Sequence, residues 1–236
     1  MEIQLKNITK KFNEIKILEN ITMKIEPKKS SIILGKSGCG KSVLIKIIYK
    51  LINQENGIIK YDKNENVNIN DFAMLFQYGA LFDSLTIWEN IAFQAINEKK
   101  TNIADIKNKA MEIIKDIGLK SDTFYRYPAE LSGGMKKRVA LGRALFKKPK
   151  VIFLDEPTTG LDPVNSNLIN ELIIKTIKEK KITAITITHD IKSAQKTGDV
   201  FFYLEDGVIE TSGNCINLFN SSNSKLNHFL KSETNN

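Results

Sequence analysis

Apolar and polar positions along this chain change period several times, and each change marks an element. Around Ile3-Leu5 and again around Ile17-Ile25 the two kinds alternate, so residues 2 to 26 read as a hairpin or small antiparallel sheet. Ser31-Ile32-Ile33-Leu34 is a continuous apolar run, the pattern of a buried strand, and Val43-Leu44-Ile45-Lys46-Ile47-Ile48 begins a helix. Ile58-Tyr61 and Phe72-Phe76 give further short strands across a polar Asn/Lys/Glu stretch. From Leu85 to about Gly118 the period turns helical. Ile106, Ala110, Ile113, Ile114 and Ile117 form one stripe, and Gly118 stops the helix. After Pro128 a helix runs from Gly134 to about Phe146. Val151-Leu154 and Ile182-Thr188 are buried strands, separated by a helix whose Leu168, Ile169, Leu172, Ile173 and Ile177 are expected to face a core. Val200-Leu204 and Val208-Thr211 flank Asp206-Gly207 as a hairpin.

At 236 residues the chain suffices for one α/β domain with a sizeable core plus a subdomain. It has no run of 18 apolar residues and no signal-peptide pattern, so a cytoplasmic protein that does not span the membrane is expected. Cys39 and Cys215 fit no metal or disulfide spacing, and the Asn-x-Thr/Ser matches at Asn7, Asn20 and Asn220 are read as accidental. The net charge of +8 raises nucleic acid as a partner. Against it, the only arginines are Arg126, Arg138 and Arg143, the lysines are scattered among Ile and Asn, and no aromatic-interleaved basic patch occurs. No nucleic-acid partner is therefore expected.

The chemistry concentrates in a few stretches. Gly35-Lys36-Ser37-Gly38-Cys39-Gly40-Lys41-Ser42 satisfies the P-loop pattern between a strand and a helix. There the N–H groups of Gly38 to Ser42 turn inward around phosphate at a helix N-terminus, Lys41 neutralises phosphate oxygens, and the Ser42 hydroxyl ligates Mg²⁺. Asp155-Glu156 ends a buried strand, which suggests a division of labour: Asp155 holds Mg²⁺ through water and Glu156 polarises the attacking water. Other positions stay open between two readings. Phe12 is an adenine platform or a sheet-packing ring. Gln77 is a reach towards Mg²⁺ and water or a solvated turn residue. Ser132, before Gly133-Gly134, caps a helix that either meets an anion or does not. His189 is a γ-phosphate contact or a structural histidine.

Taken in order, Phe12, GKSGCGKS, Gln77, LSGGM, VIFLDE, GLD and His189 resemble the ATP-binding cassette of ABC transporters over nearly the whole chain. The resemblance implies a P-loop NTPase (RecA-like) α/β core with an antiparallel β subdomain, spanning residues 1–84 and 140–212. It further implies an inserted helical signature subdomain at 85–139 and a C-terminal tail at 213–236. On it Phe12 stacks adenine, Gly35 to Ser42 form Walker A, and Gln77 is the Q-loop. Leu131, Ser132, Gly133, Gly134 and Met135 are the signature, acting in trans; Asp155 and Glu156 are Walker B. Gly160, Leu161 and Asp162 are the D-loop, and His189 is the switch histidine. The implied catalytic set is Glu156, His189, Gln77 and Lys41, and the implied metal set Ser42, Gln77 and Asp155, with ATP and Mg²⁺ as cofactors.

Met135, in place of the Gln or Glu of most cassettes, and MLFQYGALFDSLTIWENIAF from Met74 to Phe93 are similar to the ATPase subunits of Mla/MCE-type lipid transporters. YPAELSGGM, Tyr127 to Met135, fits too. Lys36 departs from the frequent Pro, and Phe12 from the common Tyr. The resemblance implies an ATP-sandwich homodimer peripheral to the cytoplasmic face of the inner membrane. A membrane permease would seat in the Q-loop and helical-subdomain groove, and an MCE-domain substrate-binding protein would complete the complex. The other cassette readings are a different solute importer or a soluble cassette such as one for Fe–S assembly. Leu226, Phe229 and Leu230 are expected to dock as a helical turn on the partner copy, and the last few residues to be disordered.

Overall fold

The computed structural model describes residues 1–98 and 102–234, arranged as two sheets with helices packed on and between them. The first sheet is antiparallel. Strand β1 (Ile3–Phe12) pairs with β2 (Ile15–Ile25) on one side and β4 (Asn56–Tyr61) on the other. In β1, Ile3 and Leu5 face the core while Gln4 and Lys6 face solvent, as alternation requires.

The alternation slips at two bulges, where Asn7 and Asn20 adopt left-handed backbone. The two Asn-x-Thr triplets, read as accidental, clasp each other there. The Asn7 N–H donates to the Thr22 hydroxyl at 3.0 Å, and the Asn20 N–H donates to the Thr9 hydroxyl at 3.2 Å. The slip keeps Ile8 and Ile21 inside, at 0 % and 1 % exposure.

The second sheet has six strands. Its order is β5 (Phe72–Leu75), β6 (Val151–Asp155), β7 (Thr183–Thr188), β3 (Ser30–Leu34), β8 (Val200–Glu205) and β9 (Val208–Asn214). The first five run parallel and β9 returns antiparallel through the Asp206-Gly207 turn. Every residue of β3 is buried because both faces of the sheet are covered. Ile33 packs towards the antiparallel sheet with helix α1 (Lys41–Ile48), whereas Ile32 and Leu34 pack on the opposite face.

Helices α2 (Ile87–Glu98), α3 (Ile103–Asp116) and α4 (Gly133–Leu145) enclose their own apolar cluster, to which the Ile106, Ala110, Ile113, Ile114, Ile117 stripe contributes as its spacing predicts. The part of the expected helical stretch at residues 99–101 lies outside the described residues. Helix α5 (Pro163–Lys180) covers the sheet through Ile169, Ile173 and Ile177. Leu168 departs from the expectation that it faces a core, being 45 % exposed: it lies on the helix side turned away from the sheet.

The C-terminal stripe is a second correction. Leu226 and Phe229 are 0 % exposed and Leu230 4 %, all on helix α7 (Ser224–Thr234). They pack on the chain's own β3, β8 and helix α6 (Ile191–Thr197), so these side chains are not available to a partner copy. The expected disorder of the last residues falls on 235–236, outside the described residues. Glu205 links this tail to the loop after β3: its carboxylate lies 3.9 Å from the Lys36 ammonium and 3.9 Å from that of Lys225 on α7.

Candidate functional site

Parallel strands deliver their C-terminal ends to one edge, so the loops after β3, β5, β6 and β7 meet there. The loop after β3 is shaped by glycine. A side chain at Gly35 would meet the Leu204 carbonyl at 2.2 Å; Gly40, at φ +105°, has Leu18 and Ile17 within 3 Å of the same position. Gly40 caps α1, turning the first N–H groups of that helix into the loop's concavity. Lys41 is buried, and its ammonium donates to the carbonyls of Gly35 at 2.6 Å and Lys36 at 2.7 Å, which holds the loop curled around its own cation.

A cleft of about 530 Å³ opens over this loop. It is walled by Phe12, by the loop residues Lys36, Ser37, Gly38, Gly40, Lys41 and Ser42, and by Gln77, Asp155, Glu156 and His189; the expected Gly35 and Cys39 do not line it. Phe12 closes β1 with its ring 47 % exposed and the Lys10 ammonium 5.1 Å from the ring centre. Ser42 is the second residue of α1, and Gln77 follows β5 by two residues.

Asp155 ends β6, where burial first, and Glu156 second, raise its carboxyl above the ordinary range; Lys137, Lys41 and Lys46 oppose the shift. Glu156 adopts left-handed backbone at φ +48°, a conformation a non-glycine residue keeps only when its surroundings hold it. Its N–H donates to the Ile187 carbonyl at 3.0 Å. Its carboxylate accepts from the Thr159 hydroxyl at 2.9 Å and lies 2.9 Å from the His189 Nδ1. The Asp190 carboxylate behind His189 caps α6 and accepts from the hydroxyls of Ser193 and Thr158.

Two predicted groups lie elsewhere in the same chain. None of Leu131, Ser132, Gly133, Gly134 and Met135, and none of Gly160, Leu161 and Asp162, lines the cleft. They lie near each other instead. The Ser132 hydroxyl accepts from the Met135 N–H and caps α4; Leu131 is buried in the helical cluster, leaving Ser132 and Gly133 exposed. Gly134 lies so close to Asn165 that a side chain would meet its amide oxygen at 2.6 Å. The Asp162 carboxylate accepts from the N–H groups of Val164 and Asn165 at 3.0 Å, capping α5, and from the Asn165 amide.

Sequence reasoning passed over Lys137. It is 6 % exposed, and its ammonium donates to the backbone carbonyls of Gln77 and, at 3.0 Å, Glu156. The available signal was a lysine three residues after Gly134 and four before Leu141, within the buried stripe of α4. Glu233 of α7 also reaches the cleft wall, which the polar composition of the tail concealed.

A second concavity of about 490 Å³ lies between the sheet and the helical cluster. Phe76, Phe82 and Phe93 line it beside Arg143, with Phe82 and Phe93 stacked at 4.3 Å.

The sequence pattern of the ABC transporter family matches residues 18–159. A probable ribonucleotide transport ATP-binding protein mkl of Mycobacterium leprae is 35% identical over 206 residues, 84% of this chain but only 59% of that relative's length. The glutamine transport ATP-binding protein GlnQ of Escherichia coli is 32% identical over 238 residues, covering 97% of this chain and 98% of the relative. Among solved structures, a dimeric ATP-binding cassette in a post-hydrolysis state bound to ADP and Pi superposes with a TM-score of 0.80 at 30% identity, over 90% of this chain and 98% of that one. CbiO1 of Clostridium perfringens, part of an ABC transporter complex, gives 0.85 at 26% identity over 97% and 98%.

Proposed function

From the premise that the chain belongs to the ABC transporter family, we propose that it is the ATP-hydrolysing subunit of a membrane transporter whose cargo is phospholipid or a related hydrophobic molecule. The observation that carries the ATPase reading is the single cleft in which Phe12, the curled loop and its Lys41, Gln77, Asp155, Glu156 and His189 converge. Phe12 offers its exposed face to adenine. The N–H groups at the start of α1 and the Lys41 ammonium receive the phosphates, with Lys41 exchanging two loop carbonyls for phosphate oxygens.

The donor set suits Mg²⁺, a hard cation that takes oxygen ligands and completes its shell with phosphates and water. Ser42 and Gln77 would hold it directly and Asp155 through water. Burial raises the Asp155 pKa, a cost that a cation held beside its carboxylate would offset. Bound there, Mg²⁺ would neutralise charge that develops between the β- and γ-phosphates.

Glu156, fixed by Thr159 and His189, orients a water towards the γ-phosphorus and takes its proton as the new P–O bond forms and the bond to the β–γ bridging oxygen breaks. The Nδ1 of His189 faces Glu156, and its Nε2 can reach a γ-phosphate oxygen as a donor only in the doubly protonated ring, where Nδ1–H donates to the carboxylate and Nε2–H to the phosphate. ADP and inorganic phosphate leave.

The remaining assignments are those of a sandwich of two copies. Ser132 and Gly133 are exposed at the start of α4, away from their own cleft, which supports a role in closing the cleft of a second copy. Gly160 to Asp162, next to them, would run along that interface. The aromatic groove of Phe76, Phe82 and Phe93 suits an apolar segment of an integral permease. No helix among the described residues is long and apolar enough to cross a membrane, which agrees with a peripheral subunit at the cytoplasmic face of the inner membrane.

The lipid assignment rests on Met135, on the Met74 to Phe93 stretch and on the resemblance they carry; an MCE-domain protein would then be a third component. The full-length coverage of a glutamine transport protein favours a second reading, a solute importer. Both are tested by purifying the tagged protein from membranes and identifying what accompanies it, with phosphate release from MgATP measured on the same material. A permease, an MCE-domain protein and phospholipid establish the first reading, a solute-binding protein the second. A purified chain that releases no phosphate overturns the ATPase reading.

A further inference from the structure

Helix α4 carries two basic side chains away from its exposed N-terminus and into the protein. Arg143 donates through Nη1 to the Ala80 carbonyl at 2.7 Å and through Nη2 to the Gly79 carbonyl at 2.6 Å, gripping the loop after β5 at its far end. Lys137, nearer the N-terminus, grips the same loop at Gln77 and reaches one strand further, to the Glu156 carbonyl. No carboxylate forms an ion pair with Lys137 among the described residues, so its ammonium is satisfied by backbone carbonyls. Burial lowers its pKa, and the charges of Glu156 and Asp155 oppose that. A cation placed so expensively is informative, since a buried charge without these two acceptors would be strongly destabilising.

Of the two residues Lys137 holds, Glu156 is the one in left-handed backbone. Glu156 sits at φ +48°, and its peptide groups are held at both ends: the N–H on the Ile187 carbonyl, and the carbonyl on the Lys137 ammonium at 3.0 Å and the Thr159 N–H at 3.3 Å. Left-handed backbone at such a residue persists only where neighbours over-determine it.

We propose that Lys137 is a positioning residue of this ATPase site: it locks the left-handed Glu156 in line and ties it to Gln77, so that rotation of α4 moves both. The helix that begins with the exposed Ser132 is then rigidly joined to the residues over the cleft of its own chain. A displacement of about 1 Å at such a residue is enough to cost on the order of a hundredfold in rate.

The inference rests on the ATP-hydrolysis reading, and its test has one arm that needs no activity. In nucleotide-free protein, Lys137→Met should raise amide hydrogen exchange in peptides spanning 76–80 and 155–160, while Arg143→Met raises it only in the first. Unchanged exchange around Glu156 in Lys137→Met overturns the proposal whether or not the chain hydrolyses ATP. In the kinetic arm, Lys137→Met should lower kcat at least about tenfold with ATP affinity held within about twofold. Lys137→Arg, which keeps a donor to both carbonyls, should recover part of the loss. Combined with Glu156→Gln, Lys137→Met should add less than about twofold, because a residue acting through Glu156 has nothing left to act on. A kcat unchanged in Lys137→Met, or a loss that multiplies fully with that of Glu156→Gln, overturns it. If Lys137→Met lowers folded yield, Lys137→Leu, which likewise has no donor for either carbonyl, carries the same predictions.

Discussion

The Nδ1 of His189 lies 2.9 Å from Oε1 of Glu156, joining the ends of two adjacent parallel strands across the mouth of the cleft. The Glu156 carboxylate is buried, while the His189 side chain is half exposed. The pair therefore has a fixed inner member and an accessible outer one.

For the inner member, Glu156→Gln keeps size and one acceptor but removes the base. ATP binding, read by equilibrium titration, should persist within a few-fold, while phosphate release falls by about a hundredfold or more. Undiminished hydrolysis would falsify the assignment of Glu156.

Closing a cleft with the α4 N-terminus of a second copy makes each site composite. Lys41→Ala and Ser132→Arg proteins should each be nearly inactive alone. Mixed, they assemble one intact site per heterodimer, so activity should return to a fraction of the wild-type value. A mixture as inactive as its components counts against the sandwich.

The aromatic groove predicts a separation of functions. Phe82→Asp places a charge beside Phe93 in a wall that Phe82 already exposes to 42 %. ATP hydrolysis by the isolated protein should stay within about twofold, because Phe82 is absent from the cleft wall, while permease co-purification is lost. Retention of the permease would place its docking surface elsewhere.

Asp155 gives a prediction in pH. Its folded pKa is raised, by burial first, so the folded chain holds a proton that the unfolded chain releases above its ordinary range near 3.8. Stability therefore falls as pH climbs from that value through the folded pKa, and the ionised carboxylate is a burden at neutrality. Asp155→Asn should raise the Tm of nucleotide-free protein at pH 7, with the advantage shrinking as pH falls towards 4. It should also weaken Mg²⁺-dependent nucleotide binding. A Tm difference independent of pH would assign the effect to packing instead.

The C-terminal helix is structural in its own chain. Phe229→Ala removes a ring with 0 % exposure, and a cost of about 3–5 kcal/mol is expected from chemical denaturation. His228, one residue earlier and exposed, should tolerate alanine.

Much of this was legible in sequence because the local chemistry is strict. The strand, glycine loop and helix around Lys41 follow from short-range rules, as do the paired acids after four apolar residues at Val151–Leu154. What escaped notice depends on which face a side chain takes once elements meet. Lys137 reads as one more lysine in a basic stretch until α4 buries it. Leu168 looks equivalent to Ile169 by composition, yet the helix turns only the second inward. Asn7 and Asn20 look like background in an asparagine-rich chain, because two bulges recognise each other only after strands β1 and β2 have paired. The terminal stripe was legible as apolar, but its partner, the far face of β3, is almost two hundred residues away in sequence.

The carboxylate of Glu205, shared between Lys36 and Lys225, sets a rule for anyone attaching cargo to this protein. Helix α7 is packed on the sheet through Phe229, and its Lys225 shares the Glu205 carboxylate of β8 with Lys36 of the phosphate loop, so a tether at that end acts beside the nucleotide cleft. Fluorophores and purification handles belong instead on the exposed turn at 62–66, at the end of β4, whose residues line no part of the cleft.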